Sequence, residues 1–477
     1  MPSCASVSTP PRPSGEPDPA DPRAVAAGVL ACAGRELRAA DAIDLSGADP
    51  VFRTPYRIAT AGAAALGALG VALSDLWRLR TGRTQAVSVD LRAAAASLRG
   101  NTYVRRDGEK PISWDPLTGH YATKDGRHYF LHTNHVHHRQ GALRVAGCAT
   151  EDREALAAAI ARRDALEFEA AIDAAGCVGG MTRTPEEWAA HPHAATIAAL
   201  PLLQLVKIGD APPEPLPAGD RPLAGIRVLD LTRVLAGPTA GRMLAEQGAD
   251  VMHVTAPHLP YQDELLMDTG HGKRCASLDL RDPAAVETLR GLVREAHVFS
   301  QGYRPGTLAR RGFSPEALAA LRPGLVCVQL SAYGDEGAWA GRRGFDSIVQ
   351  NVTGMAATQG SLAAPRNLPV QALDYIAGYL GAFVAAVALA RRATEGGSWL
   401  AKVSLVQVAH WVKGLGTVDV ARGAAELAPD ELAQLTMQST GPLGRIEHLA
   451  PVLKLSETPG RYARPAEPRG ASPASWR

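Results

Sequence analysis

Three groups of residues in this chain are of types that do chemistry. Asp374 stands just ahead of a run of small apolar residues, Ile376 to Ala390. A carboxylate there is held as the anion by the positive end of a helix dipole, by about 0.3–1 kcal/mol. On position alone such an aspartate reads as a helix cap. The second group is cationic: Arg233, Lys273, Arg274, Arg304 and Arg310, with Tyr303 beside Arg304. The third is a run of imidazoles, His128, His132, His135, His137 and His138. Their density suggests zinc or nickel, but no cysteine or carboxylate joins them at ligand spacing. They are read as a loop in solvent or against a ligand, with no metal.

These residues need elements to hold them, and the segment from Leu223 to about Gly354 supplies the pattern. GIRVLDLT, DVMHVT, RCASLDL, HVFSQGY and LVCVQLSAYG read as short buried strands. PTAGRMLAEQGA, DPAAVETLRGLVREA and PEALAALRPG read as helices between them. Asp282-Pro283 and Ser314-Pro315 are helix-start signals. The alternation implies βαβ units and a parallel, doubly wound sheet. Ligands bind such sheets outside the C-terminal strand ends. Those ends are Thr232–Ala236, Thr255–Pro257, Gly302–Arg304 and Tyr333–Gly334.

The composition narrows the class. With 477 residues, the chain is long enough for more than one domain. Its 50 basic and 48 acidic residues nearly cancel, which gives no reason to expect nucleic acid. The six cysteines form no C-x-x-C pair and read as reduced thiols of a cytoplasmic protein. The Pro- and Ser-rich start, residues 1–22, reads as a disordered tail without a secretory signal. Ile58–Leu73 and Ile376–Ala390 are strongly apolar but short of a membrane span, so both read as buried core helices.

Those two stretches also repeat. Each opens with Ile-Ala, continues as a small-residue helix, passes a glycine turn and ends in an alternating strand. The repeats are paired by their Ile-Ala steps, at Ile58 and Ile376.

GIRVLDLTRVLAGPTAGRMLAEQGADV (225–251) resembles the opening of the class III coenzyme A transferases, which include formyl-CoA and carnitine-CoA transferases. GKRCASLDL (272–280), GYRPGTLARRGFSPEAL (302–318), LSAYGDEGAWAGRRGFDSIVQNVTG (330–354) and LPVQALDYIAGYLGAFVAA (368–386) match further motifs of that family in order. DPLTGHYATKDGRHYFLH (115–132) and MTRTPEEWAAHPH (181–193) resemble its small domain. The chain therefore resembles a tandem fusion. Its first copy lacks the sheet half and its second lacks the small domain.

The resemblance implies an α/β fold: a doubly wound, Rossmann-like CoA-binding domain with a smaller α/β domain. It divides the chain into a tail (1–22), a partial first copy (23–100), a small domain (101–216), a linker (217–222), a catalytic domain (223–420) and an extension (421–477). Asp374 falls where the family carries its catalytic aspartate. Arg233, Leu235, Ala236, Lys273, Arg274, Gly302, Tyr303, Arg304 and Arg310 become the expected CoA contacts. The implied reaction moves CoA from an acyl-CoA to a small carboxylic acid, with CoA as substrate and no permanently bound cofactor. The implied assembly is a homodimer, with no membrane or nucleic-acid partner.

Some positions depart from the family. Thr255 and Ala256 replace an acidic and a basic residue, and Gln301-Gly302-Tyr303 replaces Glu-Asn-Phe. The place of the glycine-rich loop holds DGEKPISWDP (107–116). In the first copy, the neighbourhood of Tyr56-Arg57 takes the place of the aspartate. Racemases of the family need a His-Asp pair where this chain has Phe345-Asp346, so a racemase is the second reading and Asp346 reads as structural. A non-catalytic CoA-binding protein is the third.

Overall fold

The computed structural model describes residues 20–111 and 114–476. The expected tail lies outside the described residues as far as residue 19, and a helix, Pro22–Cys32, begins at its expected end.

Residues 223–331 form the alternation read from the sequence. The strands are Arg227–Leu231, Asp250–Thr255, Lys273–Ser277, Val298–Gln301 and Val326–Ser331. Asp282 caps the Pro283–Glu295 helix through the Ala284 N–H, and Ser314 caps Pro315–Leu321 through that of Ala317. With Ser398–Ser404 these strands make six parallel members of a seven-stranded sheet. Its order from one edge is 273–277, 250–255, 227–231, 298–301, 326–331, 398–404 and 203–209. The winding direction reverses between 227–231 and 298–301, so the ligand crevice of such a sheet opens there.

The seventh strand, Leu203–Gly209, was expected in the small domain. It instead pairs antiparallel with Ser398–Ser404, covering an edge that would otherwise be open. The small unit keeps its own antiparallel sheet: Gly119–Ala122, His128–Leu131 and Gly179–Met181. Helices Val136–Ala146, Arg153–Ile160 and Ala165–Ala174 close a separate core around Tyr129, Leu131, Phe168 and Ile172.

The apolar stretches are longer as helices than the sequence suggests. Ile58–Thr81 and Ala372–Glu395 each run 24 residues, because their polar ends continue the helix. Length therefore does not exclude a membrane span; burial accounts for the apolarity. In the most apolar window of each, 89% and 100% of residues are inside the protein. The two helices pack on one another. Gly378 and Gly381 face the Ala236–Glu246 helix instead, since a Cβ at Gly378 would lie 2.6 Å from the Ala236 carbonyl oxygen and one at Gly381 3.3 Å from the Ala240 Cβ.

The repeat holds, in a different register. Aligning the two helices end to end shifts the Ile-Ala pairing by one turn. Each helix ends at a glycine of positive φ, Gly82 or Gly396, and leads to a strand and a further helix. The strand Val87–Asp90 pairs parallel with Ile43–Ser46 and antiparallel with Lys454–Leu455. Ser398–Ser404 pairs parallel with 326–331 and antiparallel with 203–209. Each copy thus takes its antiparallel neighbour from the segment that follows the other copy.

Candidate functional site

Asp374 is the third residue of the Ala372–Glu395 helix, inside the first turn rather than ahead of it. The helix cap comes from elsewhere. The Asp346 carboxylate, on the Asp346–Val352 helix, accepts the N–H groups of Leu373 at 2.7 Å and Asp374 at 3.1 Å, and the Gln350 amide donates to its other oxygen. Two helix N–H groups that lack intrahelical partners are thereby satisfied. Asp374 keeps its own carboxylate free: among the described residues none donates to it, although the side chain is only 7% exposed. Burial pushes both carboxyls up, and the Asp346 charge raises Asp374 further, well above the usual carboxylate range.

The Asp374 side chain borders two cavities. The outer one, about 420 Å³, opens at the C-terminal strand ends where the sheet order reverses. Thr232 and Arg233 line it from one strand end, Gly302, Tyr303 and Arg304 from the next. The Ala236–Glu246 helix points its N-terminus into it through Ala236 and Gly237. Arg343 adds a third cation while donating to the Gly176 carbonyl of the small unit. Cations and free N–H groups at a helix start together form an anion-binding surface.

The inner cavity, about 550 Å³, lies beyond Asp374. Its walls come from three parts of the chain. Arg99 and Asn101 belong to the region after the first copy, Trp114, Phe130 and His132 to the small unit, and Phe345, Arg366, Leu368 and Val370 to the second copy. Val234 borders both cavities and holds φ at +69°, unusual for a β-branched residue. Strain of this kind persists where the surrounding structure enforces it. Here Asp230 anchors the turn by accepting the Thr232 N–H at 3.1 Å.

The expected contacts divide. Arg233, Ala236, Gly302, Tyr303 and Arg304 line the outer cleft with Asp374. Arg233 lies over the Tyr303 ring, 5.4 Å from its centre, so that ring already has a partner. Leu235 lines the inner cavity instead. Lys273 and Arg274 are corrections. They begin their strand, at the end away from the crevice, and both are 1% exposed. Lys273 pairs with Asp230 at 2.8 Å and donates to the Pro238 carbonyl at 2.6 Å, bracing the turn from below. Arg274 pairs with Asp250 and packs on Trp476. Arg310 is exposed on the Ala309–Arg311 turn, outside the cleft lining.

The histidine run is not a loop in solvent. His128 opens a strand, and His135, His137 and His138 wall the outer cleft at the start of the Val136–Ala146 helix. His132 stacks on Phe345, ring centres 4.2 Å apart. Burial pushes the His135 imidazole down to about 4 and lowers His137 and His138 as well, so these rings are neutral at pH 7. No group of three or more His, Cys, Asp or Glu that could hold a metal occurs among the described residues.

Sequence reasoning missed Arg99, Asn101, Arg343 and Arg366. Arg99, Asn101 and Arg366 lie outside any recognised motif, and Arg343 lies within the 330–354 motif without having been singled out; the fold brings each to a cavity. The first-copy counterpart of Asp374 was also displaced. End-to-end alignment pairs Asp374 with Thr60, not with Tyr56-Arg57. Asp49 accepts the N–H groups of Ala59 at 3.0 Å and Thr60 at 2.8 Å, as Asp346 does for Leu373 and Asp374.

The family model for CoA-transferase family III matches residues 42–212 and 223–431. The chain belongs to that family. It is 29% identical over 330 residues to the acetyl-coenzyme A transferase nodX of Hypoxylon pulicicidum, covering 64% of this chain and 55% of that protein. An acyl-CoA transferase of Gibberella moniliformis is 35% identical over 261 residues, 50% of this chain and 45% of its own. The succinate–glutarate CoA-transferase of Agrobacterium fabrum is 34% identical over 202 residues, 38% and 50%. The chain thus spans about half the length of the curated relatives it matches. A solved structure of a hypothetical protein from Mycobacterium tuberculosis aligns with a TM-score of 0.38 at 30% identity, over 41% of this chain and 57% of that one.

Proposed function

We propose that this chain is a CoA transferase that moves CoA from an acyl-CoA to a carboxylic acid, with Asp374 as the nucleophile. The observation that carries this reading is the placement of Asp374. Among the described residues its carboxylate has no donor, and it borders both the cationic cleft and the inner cavity. The cleft suits the phosphates of CoA, through Arg233, Arg304 and Arg343 and the Ala236–Glu246 helix start. The cavity suits the acyl group and the acid.

The Asp374 carboxylate attacks the thioester carbonyl, and the C–S bond breaks to release CoA thiolate. A mixed anhydride remains on Asp374. The thiolate then attacks the aspartyl carbonyl, and the donor acid leaves as its carboxylate. The acceptor carboxylate attacks the resulting aspartyl-CoA thioester and expels the thiolate again. Attack of that thiolate on the new acyl carbonyl yields the product thioester and restores Asp374. One thioester replaces another, so the steps consume no ATP.

Asp346 orients this machinery through the two N–H groups it accepts. Its charge keeps the Asp374 carboxyl high, so ionised Asp374 is scarcer at low pH but a stronger nucleophile when formed. Intact-protein mass spectrometry after incubation with acyl-CoAs, with hydroxylamine trapping, tests the reading. An acyl- or CoA-sized adduct in the wild type and none in Asp374→Ala is expected. CoA binding without an adduct from any donor would overturn it in favour of a non-catalytic CoA-binding protein.

A further inference from the structure

We infer that the inner cavity selects a dicarboxylic acceptor and that Arg99 takes the distal carboxylate. This rests on the transferase reading and adds the substrate class. The cavity, about 550 Å³, offers an apolar wall of Trp114, Phe130, Phe345, Leu368 and Val370 along which a carbon skeleton can lie. Its acidic lining residues are Asp346 and Asp374, and both are already engaged in the reaction proposed above. Its cationic lining residues are Arg99 and Arg366, which that reaction leaves unused. An acid with one carboxylate at Asp374 and a second further in would strand a charge against the apolar wall unless a cation met it.

Arg99 is the better placed of the two. Its guanidinium lies over the rings of Phe52 and Tyr103, 5.2 Å and 5.4 Å from their centres. Its Nε donates to Thr102 Oγ1 at 3.2 Å, and one terminal nitrogen donates to Glu426 at 3.1 Å. The other terminal nitrogen, Nη1, has no protein partner among the described residues. Two aromatic faces and the Thr102 contact fix the fork in advance, which reduces the ordering cost of binding a carboxylate. Glu426 is 64% exposed, so its hold on Arg99 is that of a weak surface pair. Arg366 is exposed, and among the described residues no side-chain partner fixes it. Arg99 thus comes from the stretch between the repeated helix and strand of the first copy and the small unit, far in sequence from Asp374.

The test uses the full chain and an acceptor series: succinate and glutarate against butyrate and valerate. Wild type should prefer the diacids in kcat/KM by about tenfold or more, the size expected when a buried charge loses its partner. Arg99→Met should lower that ratio about tenfold, mainly through the diacid KM, and Arg99→Lys should restore part of it. Glu426→Gln, at the surface, should lower the diacid KM about twofold by releasing Arg99, and it keeps the inference testable if Arg99→Met fails to fold. Equal use of diacids and monoacids by wild type would overturn the inference. So would a ratio unchanged in folded Arg99→Met, or lost only in Arg366→Met. Adduct formation from acyl-CoA alone needs no acceptor. A normal adduct without diacid preference would therefore refute this inference alone, whereas no adduct would refute the transferase reading.

Discussion

The chain contains the same helix tip twice, and the two tips differ at one decisive position. In both, a 24-residue apolar helix begins with its second and third N–H groups held by an aspartate from another segment, Asp49 or Asp346. In the second copy the third residue is Asp374, which borders two cavities. In the first it is Thr60, which is 2% exposed. The cap is therefore a property of the fold, common to both copies. The carboxylate bordering the cavities is a property of one. Asp346 read as structural from sequence because Phe345 stands where a racemase would need a histidine, and its capping role is shared by Asp49.

Breaking the reactive tip should have the largest effect. Asp374→Ala should reduce transfer on the order of 10⁴-fold, read as steady-state thioester exchange, with the melting transition retained. A residual rate close to wild type would return Asp374 to the role of its counterpart. Next, Asp346→Asn should separate capping from charge. The amide oxygen can still accept a helix N–H, but the negative neighbour of Asp374 is gone. A proposed nucleophile must be ionised, so adduct formation should rise with pH through the raised pKa of Asp374. In the variant that rise should move to lower pH.

A smaller effect should appear in stability. A carboxyl whose pKa is raised in the folded state stabilises the protein fully below its unfolded pKa, and that contribution is lost as pH rises through the folded pKa. Asp374→Asn should therefore melt higher than wild type at neutral pH, with a gap that shrinks toward pH 4. Thr60→Asp is the converse graft. It should destabilise by about 1–3 kcal/mol, by placing a second buried charge beside Asp49, and adduct stoichiometry should stay at one per chain. Smallest of all, Arg304→Ala should raise the KM for acyl-CoA about fivefold and Arg310→Ala less than about twofold, since only Arg304 lines the cleft.

The fold was legible where local signals agree with the sheet. Five strand segments, the Asp282 and Ser314 caps and the parallel alternation all follow from residues close in sequence. The edge strand Leu203–Gly209 was not legible, because its partner lies near residue 400 and its own pattern could serve any sheet. Lys273 and Arg274 show the limit for sites. Charge and motif mark them as ligand contacts, but they sit at the start of a parallel strand, and ligands meet the other end. Arg99 shows the converse, a lone arginine whose neighbours Phe52, Tyr103 and Glu426 are brought to it only by the tertiary fold. The repeat was visible in outline, and its register was lost to an Ile-Ala coincidence one turn away from the helix ends.

The exchange of antiparallel strands between the copies also sets an order of assembly. Among the described residues the strand Val87–Asp90 takes its antiparallel neighbour from Lys454–Leu455. A chain leaving the ribosome must therefore have reached residue 455 before the first small sheet can be completed. Until residues 372–395 have also been made, the Ile58–Thr81 helix lacks its companion, Ala372–Glu395, and presents an apolar surface to solvent. Contacts this distant in sequence slow folding and lengthen exposure to aggregation. The nascent chain should thus depend on chaperones during synthesis, and truncated products ending before residue 372 should be insoluble.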